Sequence, residues 1–125
     1  MNNQPEFKLI VAGGREFNNY GLLAAQITDM AVHGSLRAKA VSIVSGMARG
    51  ADALGAQFAK ENNVKLYAMP ANWDKYGKRA GFMRNSDMGN FADGLLAFWD
   101  GKSKGTAHMI DYMKQLNKPV HVVKY

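Results

Sequence analysis

Val41-Ser42-Ile43-Val44-Ser45-Gly46-Met47-Ala48-Arg49-Gly50-Ala51-Asp52 holds a β-rich run, a glycine-bounded turn and the opening of a helical segment. Val41 to Ser45 reads as a strand that stops at Gly46. From Ala51 to Asn62 the apolar spacing turns helical, with Leu54 and Phe58 one turn apart. Strand, glycine turn and helix in that order bring several groups together. They are the Ser45 hydroxyl, the Gly46 and Gly50 amides, Arg49 and a helix N-terminus. Unpaired N–H groups and the positive helix end make such a turn an anion site. Asp52 either caps the helix or accepts hydrogen bonds from ribose hydroxyls.

The same alternation extends in both directions. Lys8 to Ala12 is a strand closed by Gly13-Gly14; Val64 to Met69 stops at Pro70; Leu95 to Trp99 stops at Asp100-Gly101; Pro119 to Val123 is the fifth. Between them, Leu23, Ile27, Met30 and Ala31 share one helical face, as do Met109, Tyr112, Met113 and Leu116. Phe82 to Ala92 is a weaker helical segment resting on Met88, Phe91 and Ala92. The order βαβαβαβαβ, without repeats or a linker, predicts one Rossmann-like α/β domain over residues 1–125. Its five-stranded sheet is expected to be mostly parallel, with helices on both faces.

Bulk properties narrow the function classes. A chain of 125 residues can bury a real core. Cysteine is absent, which removes disulfides, thiolate catalysis and thiolate metal sites. No apolar run is long enough to span a bilayer. The opening MNNQPEF does not read as a secretion signal, so a cytoplasmic setting and no membrane partner are expected. Sixteen Lys and Arg against ten Asp and Glu give a formal charge of +6, which favours anionic partners. His33, His108 and His121 lack metal-ligand spacing.

Two further loops belong at the same sheet edge, each following a strand and opening a helix. Gly13-Gly14-Arg15-Glu16-Phe17 allows close backbone approach and offers a forked cation to phosphate. Asp100-Gly101-Lys102-Ser103-Lys104-Gly105-Thr106 offers amides, two hydroxyls and two lysines. The connection from Pro70 to about Gly81 carries Trp73, Asp74, Lys75, Tyr76, Lys78 and Arg79, a mixture suited to stacking on bases or to lidding a pocket. Arg84 and Asn85 follow it.

Taken together, Gly13-Gly14-Arg15 with Phe17, the Ser45–Asp52 loop, Pro70, Trp73, Arg84-Asn85 with Met88, and Gly101 through Thr106 resemble the SLOG superfamily. The resemblance is nearest to its small YspA-type, cpYpsA-related branch. It implies a bound nucleotide or ADP-ribose-like ligand as the cofactor class, and a homo-oligomer. Gly46, Arg49, Gly50, Gly101, Ser103, Gly105 and Thr106 would hold phosphate, Asp52 ribose, and Trp73 or Tyr76 the base. Arg15 and Arg84 would close the site, with Gly13, Gly14, Ser45 and Asn85 beside them. The Ser45–Asp52 loop is also similar to that of DNA-processing protein A, which implies single-stranded nucleic acid as an alternative partner. Lonely Guy phosphoribohydrolases share the arginine at Arg84 and the Gly105-Thr106 pair. Their glutamate position holds Met109 here, which can neither take nor give a proton; Asp100 and Asp52 are the carboxylates left to replace it.

Overall fold

In the computed structural model, which describes residues 5–34, 36, 37 and 39–125, five strands alternate with helices. The order is β1 (Glu6–Gly13), α1 (Tyr20–Val32), β2 (Ala40–Ser45), α2 (Ala51–Glu61), β3 (Leu66–Ala68), α3 (Trp73–Tyr76), a 3-10 turn (Gly77–Arg79), α4 (Ala80–Phe91), β4 (Gly94–Trp99), α5 (Lys104–Gln115) and β5 (Val120–Lys124). The MNNQ part of the opening segment lies outside the described residues.

The strands lie side by side as β3-β2-β1-β4-β5, and every pairing is parallel. Leu9 sits opposite Ile43 on one side and Gly94 on the other, so β1 is the central strand. Parallel neighbours need crossovers, and right-handed crossovers fix which face each helix takes. The chain steps from β1 outward to β3, then returns to β4 on the far side of β1. That reversal sends α1 and α2 to one face and α4 and α5 to the other.

The core records the division residue by residue. Leu9, Val11, Ile43, Leu96 and Phe98 point to one side, where they pack with Leu23 and Ile27 of α1 and Phe58 of α2. Ile10, Ala12, Val44, Leu95 and Ala97 point to the other, against Met88 of α4 and Met109, Ile110 and Met113 of α5. A strand buried on both faces loses the polar alternation of a half-exposed one. β1 and β4 read as continuous apolar runs for that reason.

Three expectations are corrected here. The Pro70–Gly81 connection is not irregular, because it holds α3 and the 3-10 turn, with Asn72 Oδ1 accepting from Lys75 N at 3.1 Å. The Gly13-Gly14 loop does not open a helix directly, since α1 starts only at Tyr20, capped by Asn19. Lys104 to Thr106 lie inside the first turn of α5 rather than before it, and Ser103 is the N-cap. Among the described residues no helix is long and apolar enough to cross a membrane.

A tie with no sequence signal closes the far end of α4. Lys118 Nζ donates to the carbonyls of Gly89, Asn90 and Ala92 at 2.8, 3.3 and 2.8 Å. These are carbonyls that a helix end leaves without partners, at the negative pole of its dipole. Replacing Lys118 with Met is therefore expected to lower stability by about 1–2 kcal/mol. A reduced urea midpoint with unchanged slope would show it, and an unmoved midpoint would refute it.

Candidate functional site

The reversal of strand order between β1 and β4 parts the loops that follow them and leaves a crevice at their carboxyl ends. The loop after β1 is locked to both neighbours. Gly14 N–H donates to Phe98 O at 3.1 Å, and Gly14 O accepts from Ala51 N, the first amide of α2, at 3.2 Å. Gly50 precedes that amide with φ +83°, and a Cβ there would lie 2.6 Å from the Arg15 carbonyl carbon. A side chain at position 50 would thus be strained in backbone and blocked in space. Phe17 is buried, stacks on Phe98 at 4.5 Å and meets the Tyr125 ring at 5.0 Å.

Beneath this lock lies a polar floor. Ser45 Oγ donates to Asp52 O at 2.8 Å and accepts from Met47 N at 3.1 Å. Ala48 N donates to Asp52 Oδ2 at 3.3 Å. From α4, Arg84 Nη1 donates to Gly46 O at 2.7 Å and Arg84 Nε to Asn85 Oδ1 at 3.2 Å. Asn85 Nδ2 donates in turn to Gly105 O at 3.1 Å, joining α4 to the start of α5. A Cβ on Gly46 would overlap Arg84 Nη1 and stand 2.7 Å from Asp52 Oδ2, so only glycine leaves room for the guanidinium across the loop.

This floor carries an unusual charge balance. Asp52 is 6% exposed. Burial pushes its carboxyl up to about 6 against the pull of Arg84, the Ala48 amide and Arg15. Burial also lowers the pKa of Arg84, with Asp52 working in the opposite direction. A buried carboxyl in a cleft with a raised pKa gains or loses its proton closer to neutral pH than an exposed one does.

The cleft above the floor encloses about 470 Å³, within the range of small-molecule sites. Arg15, Arg49, Lys78 and Arg84 supply cations, and Glu16, Asp52 and Asp100 supply carboxylates. Trp73 and Phe82 line it while 48% and 47% exposed, so two half-exposed aromatic side chains border the cleft. The Arg15 guanidinium sits 5.9 Å from the Trp73 ring. At the mouth Arg49 Nη2 pairs with Glu16 Oε1 at 2.6 Å, both side chains in solvent.

Of the residues expected at the site, Gly13, Gly14, Arg15, Arg49, Asp52, Trp73, Arg84, Asn85, Ser103, Gly105 and Thr106 line this one cleft. Ser45, Gly46, Gly50, Tyr76 and Gly101 do not. Ser45, Gly46 and Gly50 shape the floor from beneath, whereas Tyr76 faces Lys75 at 5.1 Å outside the cleft. The expected helix cap at Asp52 is corrected: Gly50 is the N-cap, and the carboxylate accepts from the loop amide of Ala48. In the third loop Asp100 Oδ1 accepts from both Lys102 N and Ser103 N at 2.8 Å, so the protein's own carboxylate takes two of the amides of the expected cradle. Those two bonds hold the Asp100 carboxyl below the usual carboxylate range. Glu16, Phe82 and Tyr125 join the lining without having been expected there. Tyr125 carries no local signal, because the pairing of β5 with β4 brings it to the site.

Residues 7–76 match the model of the family described as YspA, cpYpsA-related SLOG family. The Gene 61 protein of Mycobacterium phage D29 is 37% identical over 84 residues, spanning 62% of this chain and 67% of that protein. Among solved structures, DNA processing protein A from Streptococcus pneumoniae superposes with a TM-score of 0.69 at 16% identity, over 94% of this chain and 50% of that one. The Helicobacter pylori protein of the same name, whose structure is described in terms of its single-stranded DNA binding mode, gives 0.61 at 18% identity, over 93% and 64%. At these identities the likeness is one of fold. The chain spans about half of the first structure and under two thirds of the second.

The raised Asp52 pKa sets a direction for stability against pH. The folded state holds this proton more tightly than the unfolded chain, whose carboxyl titrates near 3.8, so stability declines as pH rises from there through about 6. Replacing Asp52 with Asn is expected to flatten that decline, so that the variant loses less stability than the wild type between pH 4 and pH 7. Urea midpoints at pH 4, 5, 6 and 7 test this; a variant that keeps the wild-type pH profile refutes it.

Proposed function

The chain belongs to the YspA, cpYpsA-related SLOG family, and from that premise we propose that its cleft binds a nucleotide or an NAD-derived phosphorylated ligand such as an ADP-ribose-like compound. The observation that carries the reading is the Asp52–Arg84 floor at the parting of β1 and β4. It sets a buried hydrogen-bonding carboxyl and a guanidinium in one cleft bordered by half-exposed aromatic side chains. A nucleotide offers the three complementary parts. Its phosphate meets Arg15, Arg84 and, at the mouth, Arg49, guanidinium groups that bring positive charge from three segments. Its ribose hydroxyls meet Asp52, and its base lies on Trp73. Ser103, Gly105 and Thr106 border the phosphate end.

The Glu16–Arg49 pair bears on affinity. Arg49 Nη2 is held by Glu16 Oε1, so that carboxylate competes with a ligand phosphate for the same guanidinium. Hydrolysis of the glycosidic bond is not part of this reading. Met109, at the position where the Lonely Guy resemblance has a glutamate, is 1% exposed at the cleft wall and supplies no proton.

Single-stranded nucleic acid is the second reading. The exposed Trp73 beside Lys75, Lys78 and Arg79 favours it, as does the fold shared with a protein described by its single-stranded DNA binding. Such binding would weaken steeply with salt.

Calorimetric titration with adenosine monophosphate, ADP-ribose and NAD decides between them, with native mass spectrometry reporting any co-purifying nucleotide and the oligomeric state. Saturable binding of at least one is expected, weakened about tenfold or more by Arg84→Ala and tightened about two- to fivefold by Glu16→Gln. No heat from any of the three, together with salt-sensitive binding of a deoxyoligonucleotide, would replace this reading with the second.

A further inference from the structure

We propose that His108, which stands behind the cleft lining, is a positioning residue: as the neutral tautomer protonated on Nε2 it fixes the Asn85 amide and, through it, the Arg84 guanidinium. What Arg84 then receives rests on the nucleotide-binding reading above; the relay itself does not. Donor and acceptor capacities assign each atom. Guanidinium nitrogens only donate, so the Asn85 atom 3.2 Å from Arg84 Nε is the carbonyl oxygen Oδ1. That turns Nδ2 toward α5, where the Gly105 carbonyl accepts one of its hydrogens at 3.1 Å. The second hydrogen is left for His108 Nδ1 at 3.3 Å, so this ring nitrogen is bare and the proton sits on Nε2. Asn85 is 6% exposed, and a bond left unmade at its amide has little water to replace it.

The imidazole is held between neighbours, with the Phe82 ring at 4.6 Å and the Tyr112 ring at 6.0 Å. A proton on Nδ1 would set N–H against N–H across the contact with Asn85. Turning the amide over to offer Oδ1 to the imidazolium would present Nδ2 to Arg84 Nε, again donor against donor. Asn85 thus serves Arg84 and a neutral His108 together, but not Arg84 and an imidazolium. The charged and titratable groups around the ring come from both helices. Arg84 stands behind Asn85 on α4, and Lys104, Asp111 and Tyr112 lie about one turn away on α5. Burial lowers the His108 pKa, and Asp111 pulls it the other way. The relay is therefore intact at neutral pH and opens as pH falls through a midpoint below the ordinary imidazole value. With Nε on Asn85 and Nη1 on Gly46 O, Arg84 has Nη2 to present to a phosphate in a fixed direction.

Nitrogen-15 NMR of the full chain tests the relay without any ligand. His108 is expected to show the Nε2–H tautomer at pH 7.5, and the Arg84 Nε–H resonance to move with the His108 midpoint as the pH is lowered. His108→Asn sets a carbonyl oxygen where Nδ1 stood and does not titrate, whereas His108→Leu removes the acceptor. In His108→Asn that step in the Arg84 signal is expected to vanish, while Asp52, which shares the floor with Arg84, still titrates as a control. ADP-ribose, whose diphosphate keeps its charge over this range, is the binding probe. At pH 7.5 its affinity is expected to fall about three- to tenfold in His108→Leu and to stay within about twofold of wild type in His108→Asn. An Nδ1–H tautomer, or an Arg84 step that survives in His108→Asn, would overturn the proposal. So would equal ADP-ribose affinity in wild type and His108→Leu. If ADP-ribose does not bind the wild type at all, the nucleotide reading fails, and the NMR titration alone decides the relay.

Discussion

Right-handed crossover, applied first on one side of β1 and then on the other, is the constraint on which the rest of this molecule depends. It places α1 and α2 opposite α4 and α5, buries β1 and β4 on both faces, and pulls apart the loops that follow them. The crevice is thus a by-product of chain direction, and no side chain had to be withdrawn from the core to open it. What the sequence adds is the lining. Gly14 carries the lock, giving its N–H to β4 and its carbonyl to α2. The two glycines at 46 and 50 then let α4 and the first loop approach the second more closely than any side chain would permit.

The charges within the crevice follow a pattern that helix-terminus reasoning alone does not reproduce. In the third loop the amides of Lys102 and Ser103 are already bonded to Asp100, and in the second those of Met47 and Ala48 are bonded to Ser45 and Asp52. Internal carboxylates stand where a ligand anion would be looked for. The available positive charge sits instead on guanidinium groups arriving from three separate segments: Arg15, Arg49 and Arg84. Such groups reach further than amides and hold phosphate in a fork. Burial raises the pKa of Asp52, and a buried carboxyl so shifted inside a cleft is a mark of functional sites.

Much of the fold was legible from periodicity. Five apolar runs ended by Gly or Pro, alternating with helical stripes, give the order of elements, and both signals are local. The Pro70–Gly81 segment was not legible, because a four-residue helix and a 3-10 turn bury no stripe and leave no period. The candidate site was legible where a glycine turn followed a strand. It was not at Tyr125, whose place depends on β5 lying beside β4, nor at Phe82, which differs from any helical aromatic only in being left half-exposed.

By itself, then, the sequence determined the alternation of strands and helices, the family, and the three loop stretches that meet at one sheet edge. These rest on short-range steric and solvation rules that act within a dozen residues. Tertiary structure decided which amides were already spent on Asp52 and Asp100, that Arg84 reaches across Gly46 from α4, and that Ser45 and Gly46 support the cleft without facing it. Those are contacts between segments far apart in the chain. A hydrogen bond or a shifted pKa exists only once both partners have been brought into one low-dielectric place.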